Sequence, residues 1–421
     1  MRAVVYRGVN DLRLETVPVP SIRPGELLVK VAVCGVCPTD IKKIQHGTVP
    51  PPRIFGHETA GTIVQIGRQK AEGRRQKSHS ALRISHSEFK LGDRVALHHH
   101  VPCLDCHFCR HHAFAQCAAY KHTGITAGFE PAGGGYAEYV RVMPFVLPGV
   151  VKIPARNSFE EGAMLEPVNT ILKAVNRLNL LPGDAVLVAG QGPVGLMFTK
   201  ILQLRGIRVL ATDMLESRLK LAKKFGAKWT LNVGQASRLP SERASARDAS
   251  ALPMRSGGTP ALHSTSLDAA VIAVPSDAAA MQALQLVRAG GQVLLFAHTK
   301  RGAHASGVPF SASRRKSFSS IEKMSVPEES GVTSDLAGGT PALPFSLDPA
   351  TICVDEKDLI GSYSSDFTLQ SEVARLVFSR RLDVRALITH RFPLEETAAA
   401  VALAASPQPD SLKIIVDTDS R

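Results

Sequence analysis

Short alternating runs of apolar and polar residues, broken by Gly and Pro, dominate the N-terminal third of the chain. They include Leu27 to Val33, Gly61 to Gly67, Asp93 to Leu97 and Gly135 to Val140. Because successive side chains of a strand point to opposite faces, this alternation predicts half-buried strands. Their spacing and the turns between them predict an antiparallel, partly barrel-like β domain.

From Asn157 onwards, helical periodicity alternates with short apolar runs. Ser158 to Leu180 predicts a helix, and the continuous apolar run Ala185 to Ala189 predicts a strand covered on both faces. Further helices are predicted at 193–205, 216–225 and 276–288, and further strands at 209–212, 268–274, 292–297 and 358–363. This βαβ rhythm predicts an α/β fold with a doubly wound parallel sheet.

The C-terminal stretch returns to β texture after a predicted helix over Phe367 to Arg380. The apolar runs are Ala386 to His390 and Leu412 to Val416, and such strands can complete the sheet of the first domain. The sequence therefore predicts two domains, with the parallel-sheet domain inserted into the other. The predicted bounds are 1–166 with 364–421 for the β domain, and 167–363 for the parallel sheet.

Three low-complexity segments interrupt this plan, at about 68–88, 234–266 and 301–347. Two of them share the near-repeat Gly-Gly-Thr-Pro-Ala-Leu, at 257–262 and 338–343. Lengthening a surface loop costs only about 0.6 kcal/mol per doubling, so a fold can carry such insertions. We expect these segments to be poorly ordered.

The formal net charge of +13 raises the question of nucleic acid binding. The three low-complexity segments carry +7 of this charge, and no basic patch is interleaved with aromatic residues. Such a distribution indicates solvated loops rather than a nucleic acid interface. No apolar run approaches the ~20 residues of a membrane span, and the N-terminal residues lack the order of a signal peptide. We therefore expect a soluble cytoplasmic protein.

The segment from Gly190 to Gly195, with Pro193 and Val194 inside it, reads G-x-G-x-x-G between a predicted strand and a predicted helix. Gly190 permits a tight turn, Gly192 lets the backbone approach a pyrophosphate, and Gly195 lets the helix pack on the strand. The helix N terminus then presents partial positive charge to the phosphates. The pattern in this context predicts a dinucleotide site.

Asp213 ends the next predicted strand, 23 residues after Gly190. A carboxylate at this place can accept hydrogen bonds from the adenosine ribose and repels a 2′-phosphate, which favours NAD over NADP. Arg218, five residues later, leaves tolerance of NADP open.

Four of the seven cysteines fall within fifteen residues, with spacings of three, three and eight: Cys103, Cys106, Cys109 and Cys117. Four thiolates can close a tetrahedron around zinc and leave no position for substrate, so such a zinc is structural. The odd total and the clustering fit metal ligation in a reducing compartment better than a disulfide framework. The nearby histidines are interpreted as solvated loop residues: His98, His99, His100, His107, His111, His112 and His122.

A second donor set is dispersed along the chain, in Cys37, in His57 of a Gly-His-Glu motif, and in Glu166 just before Pro167. A thiolate, an imidazole and a carboxylate leave one zinc position open for water or substrate, as a catalytic zinc requires. Each has a plainer interpretation alone: a lone Gly-His-Glu is more often structural, and Glu166 can stabilise a helix N terminus.

Together these motifs resemble the zinc-containing medium-chain dehydrogenases, above all the sorbitol and threonine dehydrogenase branch. The resemblance includes Gly92-Asp93-Arg94-Val95 and Leu387-Ile388-Thr389-His390, and it covers nearly the whole chain outside the low-complexity segments. It implies a GroES-like catalytic domain with two zinc ions, a Rossmann domain that binds NAD, and assembly as a homodimer or homotetramer.

The resemblance also implies residue roles. Cys37 and His57 match ligands of the catalytic zinc, and Glu166 matches the third protein position. Glu58 matches the adjacent acid that can approach or ligate the metal. The four clustered cysteines match the structural zinc.

Two further residues match the proton-transfer part of the family pattern, and one departs from it. Thr39 matches the hydroxyl that passes the substrate proton onward, and Asp40 matches a partner of the zinc ligands. Many members have histidine where this chain has Lys42, so the route of the proton relay differs.

The implied activity is oxidation of a secondary alcohol, of the polyol or 3-hydroxy amino acid type, with hydride transfer to NAD. Two alternatives stay open on the sequence. One is an NADPH-dependent reductase of aldehydes or ketones from the same family. The other is a zinc-stabilised, non-catalytic relative that the insertions have disabled, above all the insertion at 301–347.

Overall fold

The structure is a computed structural model that describes residues 1–67, 88–98, 101–122, 133–234, 267–297 and 349–418. The three low-complexity segments lie almost entirely outside these residues, as do His99 and His100. The expectation that those segments are poorly ordered therefore stays a prediction.

The strands and helices that the sequence predicts from residue 185 to 297 occur in the predicted order, and the described residues also form elements that were not predicted, such as the strand Trp229–Asn232. The strands are β1 (Arg2–Gly8), β2 (Asp11–Thr16), β3 (Leu27–Gly35), β4 (Arg53–Ile54), β5 (Glu58–Ile66), β6 (Arg94–Leu97), β7 (Tyr139–Val142), β8 (Val151–Lys152), β9 (Ala185–Ala189), β10 (Arg208–Asp213), β11 (Trp229–Asn232), β12 (Leu267–Ile272), β13 (Val287–Leu295), β14 (Asp358–Gly361), β15 (Ile388–Pro393) and β16 (Lys413–Asp417). The α-helices are α1 (Pro38–His46), α2 (His107–Arg110), α3 (Ala118–His122), α4 (Phe159–Ala163), α5 (Leu165–Val175), α6 (Pro193–Leu204), α7 (Glu216–Lys224), α8 (Asp277–Leu286), α9 (Pro349–Cys353), α10 (Gln370–Phe378) and α11 (Thr397–Ala405).

Two sheets make up the predicted β region. A three-stranded antiparallel sheet has the order β2-β1-β4. A seven-stranded sheet has the order β15-β16-β3-β5-β6-β8, with β7 also paired to β3, and its pairs are antiparallel except β15 with β16. The C-terminal strands thus complete the sheet that the N-terminal strands begin. The mainly antiparallel character that the sequence predicts is confirmed.

The second half of the fold is a six-stranded parallel sheet with the order β11-β10-β9-β12-β13-β14. Every residue of β9 is buried, as expected for a central strand with helices on both faces. β10 lies on one side of β9 and β12 on the other, so the strand order reverses beside β9. Ligands of doubly wound sheets bind at the carboxyl edge beside such a reversal. The predicted fold class is confirmed.

The single helix predicted over Ser158 to Leu180 is wrong, because this stretch forms α4 and α5 with a break at Met164. Pro167 explains the break, since its ring would clash with the carbonyl of residue 163 in a continuous helix and is tolerated only in a first turn. Ser158 begins α4 with a capping box shared with Glu161. The break places Glu166 in the first turn of α5.

One apolar core joins the mixed sheet to the parallel sheet. It contains residues from both, including Ala60, Ile171, Val188 and Ile415. Because α5 packs against both α6 and α10, its first turn is held firmly beside the N-terminal strands. In the described part of the chain, no helix combines the length and the apolar character needed to cross a bilayer.

Candidate active site

Three donor side chains meet where α1 begins. Cys37 is the N-cap of α1, His57 directly precedes β5, and Glu58 is the first residue of β5. One donor atom from each lies within 4.8 Å of the other two. His57 and Glu58 are buried, and Cys37 is half-buried. A thiolate, an imidazole and a carboxylate at this separation form a donor set that suits zinc.

Asp40 lies directly behind the imidazole. Its carboxylate is wholly buried, with Oδ2 3.0 Å from His57 Nδ1. A carboxylate on Nδ1 fixes the tautomer and directs Nε2 towards a metal. Burial lowers the pKa of His57, but the charges of Asp40 and Cys37 raise it more, so that this pKa lies well above its usual value. The structure thus brings Asp40 and His57 together, and the role of Asp40 as a partner of the zinc site stays a prediction.

The Glu58 carboxylate forms a buried ion pair with Lys413 of β16. Lys413 Nζ also donates a hydrogen bond to the Val36 carbonyl, at 2.9 Å. Gly35 leaves the space for this pair, because a Cβ at that position would lie 1.9 Å from Glu58 Oε2. Burial lowers the pKa of Lys413, and the charges of Glu58 and Cys37 raise it above its usual value.

Lys413 was not singled out in the sequence, although a signal was present. It stands within the apolar run Leu412 to Val416, where its neighbours predict a buried strand. Lysine is almost never fully buried without a partner. A lysine in such a run therefore indicates a buried carboxylate nearby, but the run does not tell which one.

Glu166 lies close to these donors but outside their 4.8 Å group. It is buried in the first turn of α5, and Thr170 Oγ1 donates to its backbone carbonyl at 3.2 Å. Burial raises the pKa of Glu166 to about 7, with His57 lowering it and Glu58 raising it. Two carboxylates, Glu58 and Glu166, thus border the thiolate and imidazole, and Glu58 is the nearer one.

Other residues around the donors differ in exposure. Thr39, two residues after Cys37, is half-buried on α1, and Lys42 is exposed on the same helix. Tyr363 follows β14 with 46% of its surface exposed. Burial raises the pKa of Tyr363, and the charges of His57, Cys37 and Glu166 also act on it. Tyr363 therefore lies near the donors, a position that the sequence pattern did not indicate.

The four clustered cysteines form a second donor group, with their sulfur atoms within 4.8 Å of one another. Cys109 Sγ lies 3.9 Å from Cys103 Sγ and 3.5 Å from Cys106 Sγ. Zn–S bonds of about 2.3 Å in a tetrahedron place the sulfurs about 3.8 Å apart. The backbone N–H of Cys103 donates to Cys117 Sγ at 3.4 Å, which further favours a thiolate there. The arrangement fits a closed zinc site.

The lobe that carries these cysteines is tied to the segment after β14. The Tyr120 hydroxyl forms a hydrogen bond with Ser364 Oγ and donates another to the Ser365 carbonyl. The rings of Phe114 and Phe367 pack edge to face, with centroids 5.5 Å apart. The lobe therefore supports the segment on which Tyr363 lies.

The glycine turn after β9 has the geometry that a dinucleotide needs. Gly190 has φ +90°, and a Cβ at Gly195 would lie 1.7 Å from the Gly190 carbonyl oxygen, so α6 packs against the turn. A Cβ at Gly192 would meet nothing within 4 Å. Pro193 and Val194, in the first turn of α6, are half-buried. The open space at Gly192, at a helix N terminus, suits a pyrophosphate.

Asp213 ends β10 beside this turn. Its carboxylate accepts hydrogen bonds from the backbone N–H groups of Gln191, at 2.7 Å, and Leu215, at 2.9 Å. Arg218 Nη1 lies 4.0 Å from Asp213 Oδ2. The carboxylate is thus fixed at the edge of the turn, with a guanidinium close behind it.

A methyl group is expected to have different effects at Gly192 and at Gly195. A methyl group at Gly192 would lie in open space, so the free energy of unfolding of Gly192→Ala is expected to stay within about 0.5 kcal/mol of wild type. Binding of a dinucleotide is expected to weaken, because the backbone could no longer approach its pyrophosphate. The free energy of unfolding of Gly195→Ala is expected to fall by about 1–3 kcal/mol, the range for an overpacked site. Thermal unfolding and NAD titration of both variants test this pair. Equal stability of the two variants would contradict the packing described.

Comparisons with known proteins identify the family of this chain. Residues 23–155 match the alcohol dehydrogenase GroES-like domain, and residues 193–329 match the zinc-binding dehydrogenase domain. Sorbitol dehydrogenase of Bacillus subtilis is 29% identical over 74% of this chain and 79% of its own. A protein of Emericella nidulans named "Probable D-xylulose reductase A" is 30% identical over 62% of this chain and 69% of its own. The fold matches that of 2R,3R-butanediol dehydrogenase from Bacillus subtilis with a TM-score of 0.70, at 20% identity over 99% of each chain.

The matched domains, the relatives and the arrangement of the sheets agree with one another, and they confirm the family that the motifs indicated. The chain belongs to the zinc-binding medium-chain dehydrogenase/reductase family, on its sorbitol dehydrogenase-like branch, and is an oxidoreductase of that family.

Proposed function

We propose that this enzyme oxidises a secondary alcohol of the polyol type and transfers its hydride to NAD. The observation that carries the proposal is the buried convergence of Cys37, His57 and Glu58. The names of the sorbitol dehydrogenase and the xylulose reductase support the substrate class, because both act on polyols or their ketoses.

We propose that Cys37, His57 and one carboxylate, from Glu58 or Glu166, hold a catalytic zinc, and that the four clustered cysteines hold a structural one. When bound at the first site, zinc supplies Lewis-acid chemistry that eases deprotonation of an alcohol hydroxyl. Asp40 keeps the imidazole of His57 in the ligating tautomer.

Residues of this chain would move the substrate proton and position the two carboxylates. Thr39, half-buried beside Cys37, passes the substrate proton outward. Lys42 stands where many family members have histidine, so the proton would reach solvent by a route that does not use a histidine on α1. Lys413 holds the Glu58 carboxylate beside Cys37 and His57, and either Glu58 or Glu166 would complete the protein ligands of a bound zinc.

We propose NAD as the preferred cofactor because the Asp213 carboxylate would repel a 2′-phosphate. Asp213→Ser is expected to raise the KM for NAD about tenfold, the effect of losing charged hydrogen bonds worth about 1.5–3 kcal/mol each, partly replaced by water. The same change is expected to lower the KM for NADP, because Arg218 then faces the phosphate alone. Initial rates with each cofactor measure this, and an unchanged NADP-to-NAD ratio would contradict the role of Asp213.

The proximity of Arg218 to Asp213 favours one second candidate, an NADPH-linked reductase of aldehydes or ketones. A panel of sorbitol, xylitol, threonine and simple primary alcohols, tested with NAD and NADP, separates the two. The proposal expects the highest kcat/KM with a polyol and NAD. Reduction of aldehydes with NADPH, without any oxidation of polyols, would contradict the proposal and favour the reductase.

Two further parts of the proposal concern organisation. We propose the domain division 1–166 with 364–421 and 167–363, and assembly as a homodimer or homotetramer. A complete donor set in the described residues speaks against a non-catalytic relative.

A further inference from the structure

A cavity of about 670 Å³ opens between β8 and the outer face of α10. Its lining includes Arg156 after β8, Arg375 and Phe378 on α10, and Arg381 just beyond that helix. It shares no residue with the two cysteine-containing donor groups or the glycine turn. Its volume lies in the range of roughly 300–1,000 Å³ that small-molecule sites occupy.

The charges that line this cavity are mostly positive and mostly uncompensated. Lys152 is paired with Asp93 at 2.7 Å. Within the described ranges, Arg156, Arg375 and Arg381 form no ion pair with a carboxylate. They face one lining carboxylate, so three arginines against Glu372 leave a net charge of +2.

The arginines beside the cavity behave differently, because each has its own acid. The pairs are Arg380 with Glu161 at 3.0 Å, Arg385 with Asp383 at 2.6 Å, and Arg391 with Glu160 at 3.3 Å. Acids are therefore available in this region, and other arginines engage them. Among the described residues, the three cavity arginines have no such acid: Arg156 Nη2 donates only to the Phe378 backbone carbonyl, at 3.4 Å, and their charges therefore stay available to an anionic ligand.

The side chains that line the cavity indicate which class of ligand it can bind. A guanidinium presents a planar fork that matches phosphate and carboxylate oxygens, and several of them around one cavity concentrate an anionic ligand. Phe378, Leu376 and Val151 supply an apolar wall between the arginine head groups. Such a wall suits the carbon part of an organic anion rather than a bare chloride ion.

We propose that this cavity binds a small polyanion, a molecule that carries two or more phosphate or carboxylate groups. Such a ligand would bridge the segment after β8 and the outer face of α10. The inner face of α10, with Val373 and Val377, packs in the same core as Ile171 of α5. An occupied cavity would thus brace the helix whose first turn holds Glu166.

Inorganic pyrophosphate is the probe, titrated by calorimetry into the full chain with its metals bound. Arg375→Gln and Arg381→Gln are expected to weaken binding about tenfold each, and the double variant about a hundredfold, as loss of charged hydrogen bonds predicts. All three arginines are exposed, so these variants should fold. Arg13→Gln is the matched control, because it removes one exposed positive charge on β2, away from the cavity.

Saturating NAD separates the cavity from the glycine turn, which also attracts pyrophosphate. Binding in the cavity persists with NAD present and is about a hundredfold weaker in the double variant. Binding that NAD abolishes and the arginine substitutions leave unchanged lies at the glycine turn and overturns the proposal. An equal loss in Arg13→Gln would show only a response to net charge and would also overturn it. The test does not depend on which alcohol the enzyme oxidises.

Discussion

Replacing Cys37 with serine is expected to lower kcat/KM about a thousandfold while the chain stays folded. Lewis-acid assistance is worth several kcal/mol of transition-state stabilisation, and about 4 kcal/mol corresponds to a thousandfold in rate. A serine hydroxyl is not ionised at neutral pH and cannot replace the thiolate next to His57. Because Cys37 is half-buried at a helix terminus, the substitution leaves the apolar core intact. Initial rates with the best polyol and NAD measure the loss of activity, and thermal unfolding measures whether the variant stays folded.

Cys353→Ser is the matched control for this substitution. Cys353 is an exposed thiol at the end of α9 and belongs to neither donor group. Its variant is expected to keep wild-type turnover and wild-type metal content. Turnover by the Cys37→Ser variant within tenfold of wild type would refute a metal-assisted mechanism at this site.

Replacing Cys117 with serine is expected to have the largest effect on stability. The lobe around it has a core of only a few buried residues, including Val101, Phe114 and Tyr120, which is too little to hold the segment in place by itself. We therefore expect metal binding to supply much of its stability. Burial raises the pKa of the Cys117 thiol, but hydrogen bonds, first that of the Cys103 backbone, lower it to about 7. Cys117 thus loses its proton more readily than Cys109, whose pKa burial raises to about 12.

The expected loss for Cys117→Ser is on the order of 4 kcal/mol, which corresponds to a fall of about 5 °C in Tm for a chain of this length. One zinc equivalent per chain should be lost at the same time. Metal analysis and differential scanning calorimetry, with the Cys353→Ser variant alongside, measure the two effects. A Cys117→Ser variant with full zinc content and an unchanged Tm would rule out the closed metal site.

The parts of the fold that depend on periodicity were predictable from the sequence. Continuous apolar residues in β9 marked a central parallel strand, and the glycine spacing after it marked the turn to α6. The break at Met164 was missed because apolar periodicity runs through it, and only the position of Pro167 indicates a new helix. The apolar pattern by itself therefore predicted one long helix where the chain forms two.

The candidate site was predictable in its residue types but not in its distances. Local spacing identified the four clustered cysteines, whose separations are set by one short lobe. The order of Glu58 and Glu166 around His57 depends on how α5 packs against the mixed sheet, which no local pattern encodes. Lys413 lies hundreds of residues from Glu58 in the chain, and only the pairing of β16 with β3 brings the two together.

The convergence of Cys37 and His57 on one metal is tested most directly by diffraction from crystals of the zinc-loaded enzyme, with data collected on both sides of the zinc absorption edge. We expect two anomalous peaks per chain, one among the four clustered cysteines and one bonded to Cys37 Sγ and His57 Nε2, with Glu58 or Glu166 completing the protein ligands. A single peak at the cysteine lobe, in crystals of an enzyme that oxidises polyols, would contradict the account.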